Sequence, residues 1–307
     1  MGTLLPNLMA DELVSGLLKE TDLRVVLVTA SELARKAREL HRSATASASL
    51  MAQGLTAGAL LSSLQKSDSR VNLQLECDGP LRGLFVDGDT SGVLRGYAKN
   101  PLVSHVGSEG EYHWRPALGN KGYLSVLRDL GSGEYYRSAV ELESFDLAKD
   151  LERYFATSDQ LPTRVFLSVQ PVNANGTTEP LGLVAGMLLQ PLPNGDRDAF
   201  RALGDRLAKD FEPTVRAHAG QGAGALLKAL VPQPDLEVMS RYPVSFTCSC
   251  SKDRVKRALV SMGREELEDI LAKEGQAEAD CHFCTTHYVV SGDEIREILA
   301  EMAQATS

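Results

Sequence analysis

Cys248-Ser249-Cys250, followed thirty residues later by Cys281-His282-Phe283-Cys284, is the stretch that decides how this chain is read. It holds four of the five cysteines within 37 of the 307 residues. Two tight pairs of thiols are the pattern by which a tetrahedral metal such as zinc is held, each pair on a short turn and the pairs brought together by the chain between them. One pair has a single intervening residue, and the separation exceeds the usual finger spacing of roughly 15–20, so the match is to a less common member of the zinc class. Four buried small hydrophobes would be the bland alternative. His282 and His287 could also ligate, but four sulfurs already complete a tetrahedron. They are read as surface residues or as supports of the ligands.

Working outward, residues 241–307 form a compact carboxy-terminal unit. Ser251–Leu259 and Glu265–Lys273 read as helices. Ser291 and Glu294 form a capping box ahead of Ile295, Ile298, Leu299 and Met302, which share one helical face. So small a unit has little core and depends on a staple. Lys252, Arg254, Lys256 and Arg257 stand where they could offset the charge of four thiolates around a divalent cation. Upstream, residues 194–240 read as a metastable helical linker. Residues 196–211 look helical, but Gly220, Gly222 and Gly224 and then Pro232 and Pro234 interrupt the rest of that segment.

Residues 1–193 read as an α+β domain, an antiparallel sheet with packed helices. Leu23–Thr29 is rich in β-branched residues and predicts a strand, and Thr29 with Glu32 suggests a capping box for a helix running to about His41. The Ala, Ser, Gly and Thr of 43–66 suit a helix packed closely into a core and are too polar for a membrane span. Val71, Leu73, Leu75 and Cys77 alternate onto the apolar face of a strand, so Cys77 is read as an inert packing residue. Asp78-Gly79-Pro80 and Asp87-Gly88-Asp89 read as turns around a strand at Leu81–Val86, with another at Val93–Lys99. A helical segment near Phe145–Thr157 precedes strands Arg164–Val172 and Leu181–Gln190, which are joined through Asn173–Gly176.

Composition narrows the function. Hydrophobic residues make up 43% and charged residues 24%, with a net charge of −9, so no overall field favours nucleic acid or an anionic membrane. Asp11, Glu12 and Glu20 break any secretory apolar run, and Pro6 occupies the Ser/Thr position of a myristoylation motif after Gly2. A cytoplasmic protein is expected, and in that reducing compartment paired cysteines argue for metal or redox chemistry. Three classes can use such a site. A nucleic-acid-binding zinc ribbon should be basic, whereas residues 241–307 carry eight Lys and Arg against twelve Asp and Glu, a net of −4. A thioredoxin-type oxidoreductase wants its Cys-x-x-Cys opening a helix in a βαβ unit, which this pattern does not offer. An iron-sulfur cluster could use the same ligands. A protein whose fold is switched by the redox state of its metal site explains both the cluster and the interrupted linker.

Phe246-Thr247-Cys248-Ser249-Cys250-Ser251, Cys281-His282-Phe283-Cys284 and Tyr288 resemble the zinc centre of the redox-regulated bacterial heat-shock chaperones of the 33 kDa chaperonin family. His41–Ala46, Asp78-Gly79-Pro80, Arg95-Gly96-Tyr97, Tyr154-Phe155, Ser158–Thr163 and Gly186–Pro193 resemble family segments too. Asp159 stands where the family usually has Glu, and Cys77 where Gly usually precedes Asp-Gly-Pro. The resemblance implies that Cys248, Cys250, Cys281 and Cys284 bind one Zn2+ per chain when reduced. It implies that oxidation forms the disulfides Cys248–Cys250 and Cys281–Cys284 and releases the metal, so that the carboxy-terminal unit and linker unfold. The protein would then hold unfolding client proteins without ATP, often as a homodimer. It would be no enzyme and would have no nucleic-acid or membrane partner. The sequence has no Walker-type glycine loop, in agreement with ATP independence.

Overall fold

The Ala/Ser/Gly-rich run forms a helix, Thr45–Ser63, in which sixteen of nineteen residues are buried. A helix buried on every side needs apolar surface on both flanks, and small side chains let that surface come close. A Cβ on Gly58 would lie 2.6 Å from Val86 Cγ1 on one flank, and one on Gly186 would lie 2.4 Å from Thr56 Cγ2 on the other.

The computed structural model describes residues 10–66, 69–104, 115–129, 134–174 and 177–305, in two compact units divided between Thr247 and Cys248. Gly2 and Pro6, which bear on lipidation, and Asn175-Gly176 of the expected hairpin turn lie outside these residues. The first unit runs β1 (Glu12–Leu18), β2 (Leu23–Thr29), α1 (Ser31–His41), α2 (Thr45–Ser63), β3 (Arg70–Cys77), β4 (Gly83–Asp89), β5 (Val93–Ala98) and α3 (Arg115–Leu118). It continues with β6 (Gly122–Asp129), β7 (Tyr135–Glu141), α4 (Leu147–Tyr154, extended by a π turn over Phe155–Asp159), β8 (Arg164–Ala174) and β9 (Thr177–Pro191). It ends with α5 (Arg197–Ala217), α6 (Ala223–Leu230), β10 (Leu236–Pro243) and β11 (Ser245–Phe246).

Two sheets result, ordered β10-β1-β2-β9-β8 and β11-β5-β4-β3-β6-β7. Every pairing is antiparallel except the short β11–β5 one. Helix α2 lies between them, its Leu50, Leu55 and Leu60 sharing one core with Val26, Leu73 and Val86. The α+β class with an antiparallel sheet and packed helices is as the sequence reading has it. The far face of the first sheet is covered by residues read as linker: Phe200, Leu207 and Phe211 of α5 and Leu227 of α6 pack on Val25 and Met187. Gly220 and Gly222, both at positive φ, separate these two helices. Glu12 of β1 joins the same region to the sheet, accepting from the backbone N–H of Ala223 (3.0 Å) and from Nη2 of Arg241 (2.8 Å).

Two local readings need correction. Helix α1 is not capped by Thr29 and Glu32. Asp11 caps it from across the sheet, its two oxygens accepting the N–H groups of Ser31 (2.9 Å) and Leu33 (2.7 Å). Asp87-Gly88-Asp89 is no turn but the end of β4. Gly88 is there because a Cβ would meet Ser62 Oγ at 2.8 Å, and Asp87 reaches across to Arg95 (2.7 Å). The actual turn comes next, where Asp89 Oδ1 accepts from the Ser91 N–H at 2.9 Å and Gly92 takes φ +85°. Strands β1, β6, β7 and β10 and helix α3 are additions. Cys77 is half-buried against the core, and burial pushes its thiol pKa up. Asp159 pairs with Arg128, whose Nη1 lies 3.2 Å from Oδ1.

Asp11 gives a first test. Burial pushes its carboxyl up to about 6, although the N–H groups of Leu33 and Ser31 favour the charged form. A carboxyl raised above its unfolded value contributes stability below about pH 4 that is lost as pH rises through about 6. Asp11→Ala orphans two buried N–H groups and should cost about 1–3 kcal/mol in denaturant unfolding, and it should remove that pH-dependent component. Glu32→Ala should stay within about 0.5 kcal/mol.

Candidate metal centre

The second unit has its own small core. Leu259, Leu267, Ala277, Val290, Ile295 and Ile298 are buried, contributed by α7 (Lys252–Met262), α8 (Arg264–Lys273), β12 (Gln276–Asp280), β13 (His287–Ser291) and α9 (Gly292–Ala305). Strands β12 and β13 form an antiparallel hairpin with Asp280 opposite His287. Its tip is Cys281–Thr286, a tight knuckle. The Thr285 N–H returns to the Cys281 carbonyl (2.8 Å), the Cys281 N–H to the Thr286 carbonyl (3.0 Å), and Thr285 takes φ +59°. Such a turn points Cys281 and Cys284 to the same side. The other pair precedes α7, where Ser251 caps the helix by accepting from the Arg254 N–H at 3.3 Å.

The four sulfurs converge. Cys248, Cys250, Cys281 and Cys284 place their Sγ atoms within 4.8 Å of one another, all half-buried. Cys248 and Cys281 are 3.7 Å apart, and Cys250 and Cys284 are 3.2 Å apart. Four sulfurs at the zinc–thiolate bond length of about 2.3 Å from a common centre form a tetrahedron with edges of about 3.8 Å. A disulfide requires about 2.05 Å. The spacing is therefore that of a four-thiolate cage, and the donor set, all soft sulfur, fits zinc.

Polar groups around the cage differentiate the thiols. Burial pushes Cys250 up to about 12 against the Tyr288 hydroxyl, which donates to its sulfur at 3.1 Å. That hydrogen bond, with some burial, carries Tyr288 itself up to about 12. Burial also raises Cys281. In Cys284 burial is outweighed by the hydroxyl and N–H of Thr286 and by neighbouring thiols, which bring it down to about 7. Its sulfur lies 3.2 Å from Thr286 Oγ1.

The basic residues after Cys250 are arranged differently from the sequence expectation. Lys252 Nζ and Lys256 Nζ sit 2.6 and 2.9 Å from the carboxylate of Glu294 instead of facing the sulfurs. Arg254 donates to Ser249 Oγ at 2.7 Å. The capping box at Ser291 forms, the Ser291 N–H reaching Glu294 at 2.9 Å. Glu294 thus does two things, and the two lysines with the Ser291 N–H hold its carboxyl down to about 2. Thr286 is a functional neighbour that cysteine spacing alone does not reveal. Exposed His287 pairs with Asp280 (2.9 Å) and His282 is also exposed, so neither joins the sulfur cluster. Cys77 belongs to the other unit and stands outside it.

With this geometry in hand, a family model described as Hsp33 protein matches residues 11–291. The chain belongs to the Hsp33 family. Its Hsp33 relatives include the 33 kDa chaperonin of Synechococcus sp. (strain JA-3-3Ab), 35% identical over 301 residues that cover 97% of this chain and 92% of the relative. The 33 kDa chaperonin of Geobacter sulfurreducens is 31% identical over 298 residues, covering 97% and 98%. The crystal structure of the 33 kDa chaperonin from Thermotoga maritima aligns over 96% of this chain and 99% of its own, with a TM-score of 0.79 and 25% identity. Hsp33 membership makes this a chaperone, and the four-cysteine cluster is one that could hold a metal ion. No helix among the described residues is long and apolar enough to cross a membrane.

Glu294→Ala leaves all four thiols in place while removing both lysine contacts and the capping box. A carboxyl held below its ordinary value contributes fully above about pH 4.5 and loses that contribution toward about pH 2. At pH 7 the variant should therefore show several-fold faster amide exchange in α7 and at the start of α9 than the parent. The β12–β13 pairing should exchange unchanged.

Proposed function

We propose that the protein is a redox-regulated, ATP-independent holdase, inactive when reduced and zinc-bound and activated by oxidation of its four clustered thiols. The observation that carries this reading is the convergence of four sulfurs within 4.8 Å in a chain of the Hsp33 family. Cys248, Cys250, Cys281 and Cys284 would hold one Zn2+ per chain. Bound there, the ion would neutralise thiolate charge and clamp a unit in which six apolar residues are buried among those described. Structural zinc contributes on the order of 10–16 kcal/mol in small zinc peptides, which rivals the whole stability of a domain at about 5–15 kcal/mol.

Peroxide supplies the oxidant. A thiolate attacks the O–O bond to give a sulfenic acid and hydroxide, and the second thiolate of the pair displaces hydroxide to close the disulfide. Two peroxides thus turn four thiols into two disulfides and four waters. The pairs would be Cys248–Cys250 and Cys281–Cys284, each joining cysteines with one or two residues between them. Cys248–Cys281 and Cys250–Cys284, at 3.7 and 3.2 Å, are contacts across the pairs, so closing disulfides within the pairs exchanges those neighbours for bonds of about 2.05 Å. That rearrangement supports unfolding of residues 241–307 on oxidation and loosening of the linker over 194–240. Client proteins in partly unfolded states would be the partners, and a homodimer the activated form. We place the protein in the cytoplasm and assign it no enzymatic activity. A zinc-ribbon nucleic-acid-binding role is the lesser reading, since residues 241–307 carry a net charge of −4 and a phosphate backbone would repel them.

Zinc and free thiols measured before and after peroxide, with an aggregation assay on the same samples, test the switch. One zinc and five thiols per chain are expected in the reduced protein. After oxidation we expect zinc release, peptides linked Cys248–Cys250 and Cys281–Cys284, and suppression of client aggregation. Equal suppression by both forms would overturn the reading. Cys77→Ser should change neither zinc content nor activation.

A further inference from the structure

The two sheets of the first unit end in four edges: β10 and β8 in one, β11 and β7 in the other. Unpaired backbone on an edge is a template for another extended chain, and proteins blunt it with bulges, proline or brevity. Three of the four edges are blunted. Strand β10 slips register opposite Ser15/Gly16 and ends at Pro243. Strand β8 slips register at Pro171, between Gln170 and Val172. Strand β11 is two residues long. Strand β7 has none of these three features: it pairs with β6 in unbroken register from Tyr135 to Glu141 and contains no proline, and Arg137 is the one charge within it before Glu141.

The direction of its free groups is set by the pairing. The Leu142 N–H bonds the Gly122 carbonyl (2.9 Å), so alternate residues 140, 138 and 136 face β6, and 135, 137, 139 and 141 face outward. The Glu141 carbonyl is taken by Arg153 Nη1 at 2.6 Å. Among the described residues, the N–H and C=O groups of Tyr135, Arg137 and Ala139 have no partner. Apolar surface accompanies them: Tyr135 is 66%, Tyr136 47% and the neighbouring Tyr123 54% exposed. Tyr135 stands on one face of the sheet and Tyr136 on the other, so a strand laid along β7 would meet a ring on each side.

We propose that β7 is the docking edge for a client, which joins the six-stranded sheet through an extended apolar segment as its seventh strand. The occupant is set by chemistry. Donor and acceptor groups repeating at every second residue match the backbone of an extended polypeptide whatever its sequence, and flanking tyrosines reward apolar or aromatic side chains. That is the recognition a chaperone needs, because unfolding clients share a backbone and exposed apolar residues but no sequence. The proposal rests on the client-holding part of the preceding reading and not on its redox trigger. A three-residue edge alone captures a chain transiently; stable holding takes further apolar surface, which oxidation would uncover.

The test uses the full chain, reduced and oxidised, with denaturant-unfolded citrate synthase as client. In whichever form holds the client, exchange of the Tyr135, Arg137 and Ala139 amides should slow about tenfold. A photo-crosslinking residue at position 137 should capture client at least fivefold more than one at Ser240 on the β10 edge. Ala139→Pro should weaken holding severalfold. Because that variant could disturb the sheet, Ala139→Lys, which keeps the N–H and adds a second cation to the outward row beside Arg137, should weaken holding in the same direction with zinc content unchanged. Client held with β7 amides unprotected and equal crosslinking at the two positions would overturn the docking edge and leave the holdase reading intact. Crosslinks from position 137 to a second copy of this chain, with protection that grows with protein concentration in the absence of client, would make β7 a self-association edge and overturn the proposal. Failure of both forms to hold client would overturn the holdase reading, and the docking edge with it.

Discussion

Four sulfur atoms drawn from two turns thirty residues apart must lie within 4.8 Å of one another, and most of residues 248–307 is arranged to satisfy that requirement. The hairpin β12–β13 exists to turn at Cys281–Cys284, and α7 starts directly after Cys250. Among the described residues the rest of the unit has six buried apolar side chains with five partly buried ones against them, a small core to set against a chain entropy of about 1–2 kcal/mol per ordered residue. The sulfur cluster is therefore a large part of what this unit brings together, whereas the first unit is built on apolar packing.

The first unit obeys a different constraint. Its central helix α2 is buried on all sides, so both sheets are specified by what can approach a helix made of Ala, Ser, Gly and Leu. Glycines stand in the neighbouring strands where side chains would collide with it: Gly88 in β4 against Ser62 and Gly186 in β9 against Thr56. Close packing of this kind tolerates little added volume. It gives a rigid platform whose second face is covered by α5 and α6, so the elements between the platform and the cysteines are packed against apolar surface and are not a loose tether.

Much of this is legible in the sequence, and the parts that are not have a common cause. The cysteine spacing carries its own chemistry, and the patterns of α2, β3, β8 and β9 reflect local periodicity. The cap on α1 escapes a local reading because its true acceptor, Asp11, lies twenty residues earlier and meets the helix only through the sheet. Gly88 looks like a turn residue because a glycine needed for close approach and one needed for a turn are the same letter. Strands β6 and β7 mix tyrosine, serine and charges because one of their faces meets solvent. At the candidate metal centre the four clustered cysteines are visible, but Thr286 and the pairing of Lys252 and Lys256 with Glu294 are not, since they depend on how the hairpin tip and two helices meet.

That pairing changes how the cage can be assembled. Lys252 stands one residue beyond the Ser251 that ends the first cysteine turn, and Glu294 lies just beyond the hairpin that carries the second. A carboxylate bridging the two closes most of the same loop that the sulfurs close. Each contact is weak and screened by salt, yet a loop whose ends already dwell near each other has less entropy left to lose. Its ends also meet at a higher effective concentration. Because the carboxyl stays ionised down to about pH 2, the bridge does not depend on thiol chemistry at neutral pH. The unit thus carries a second fastening between the same two turns, one made by charge and not by sulfur.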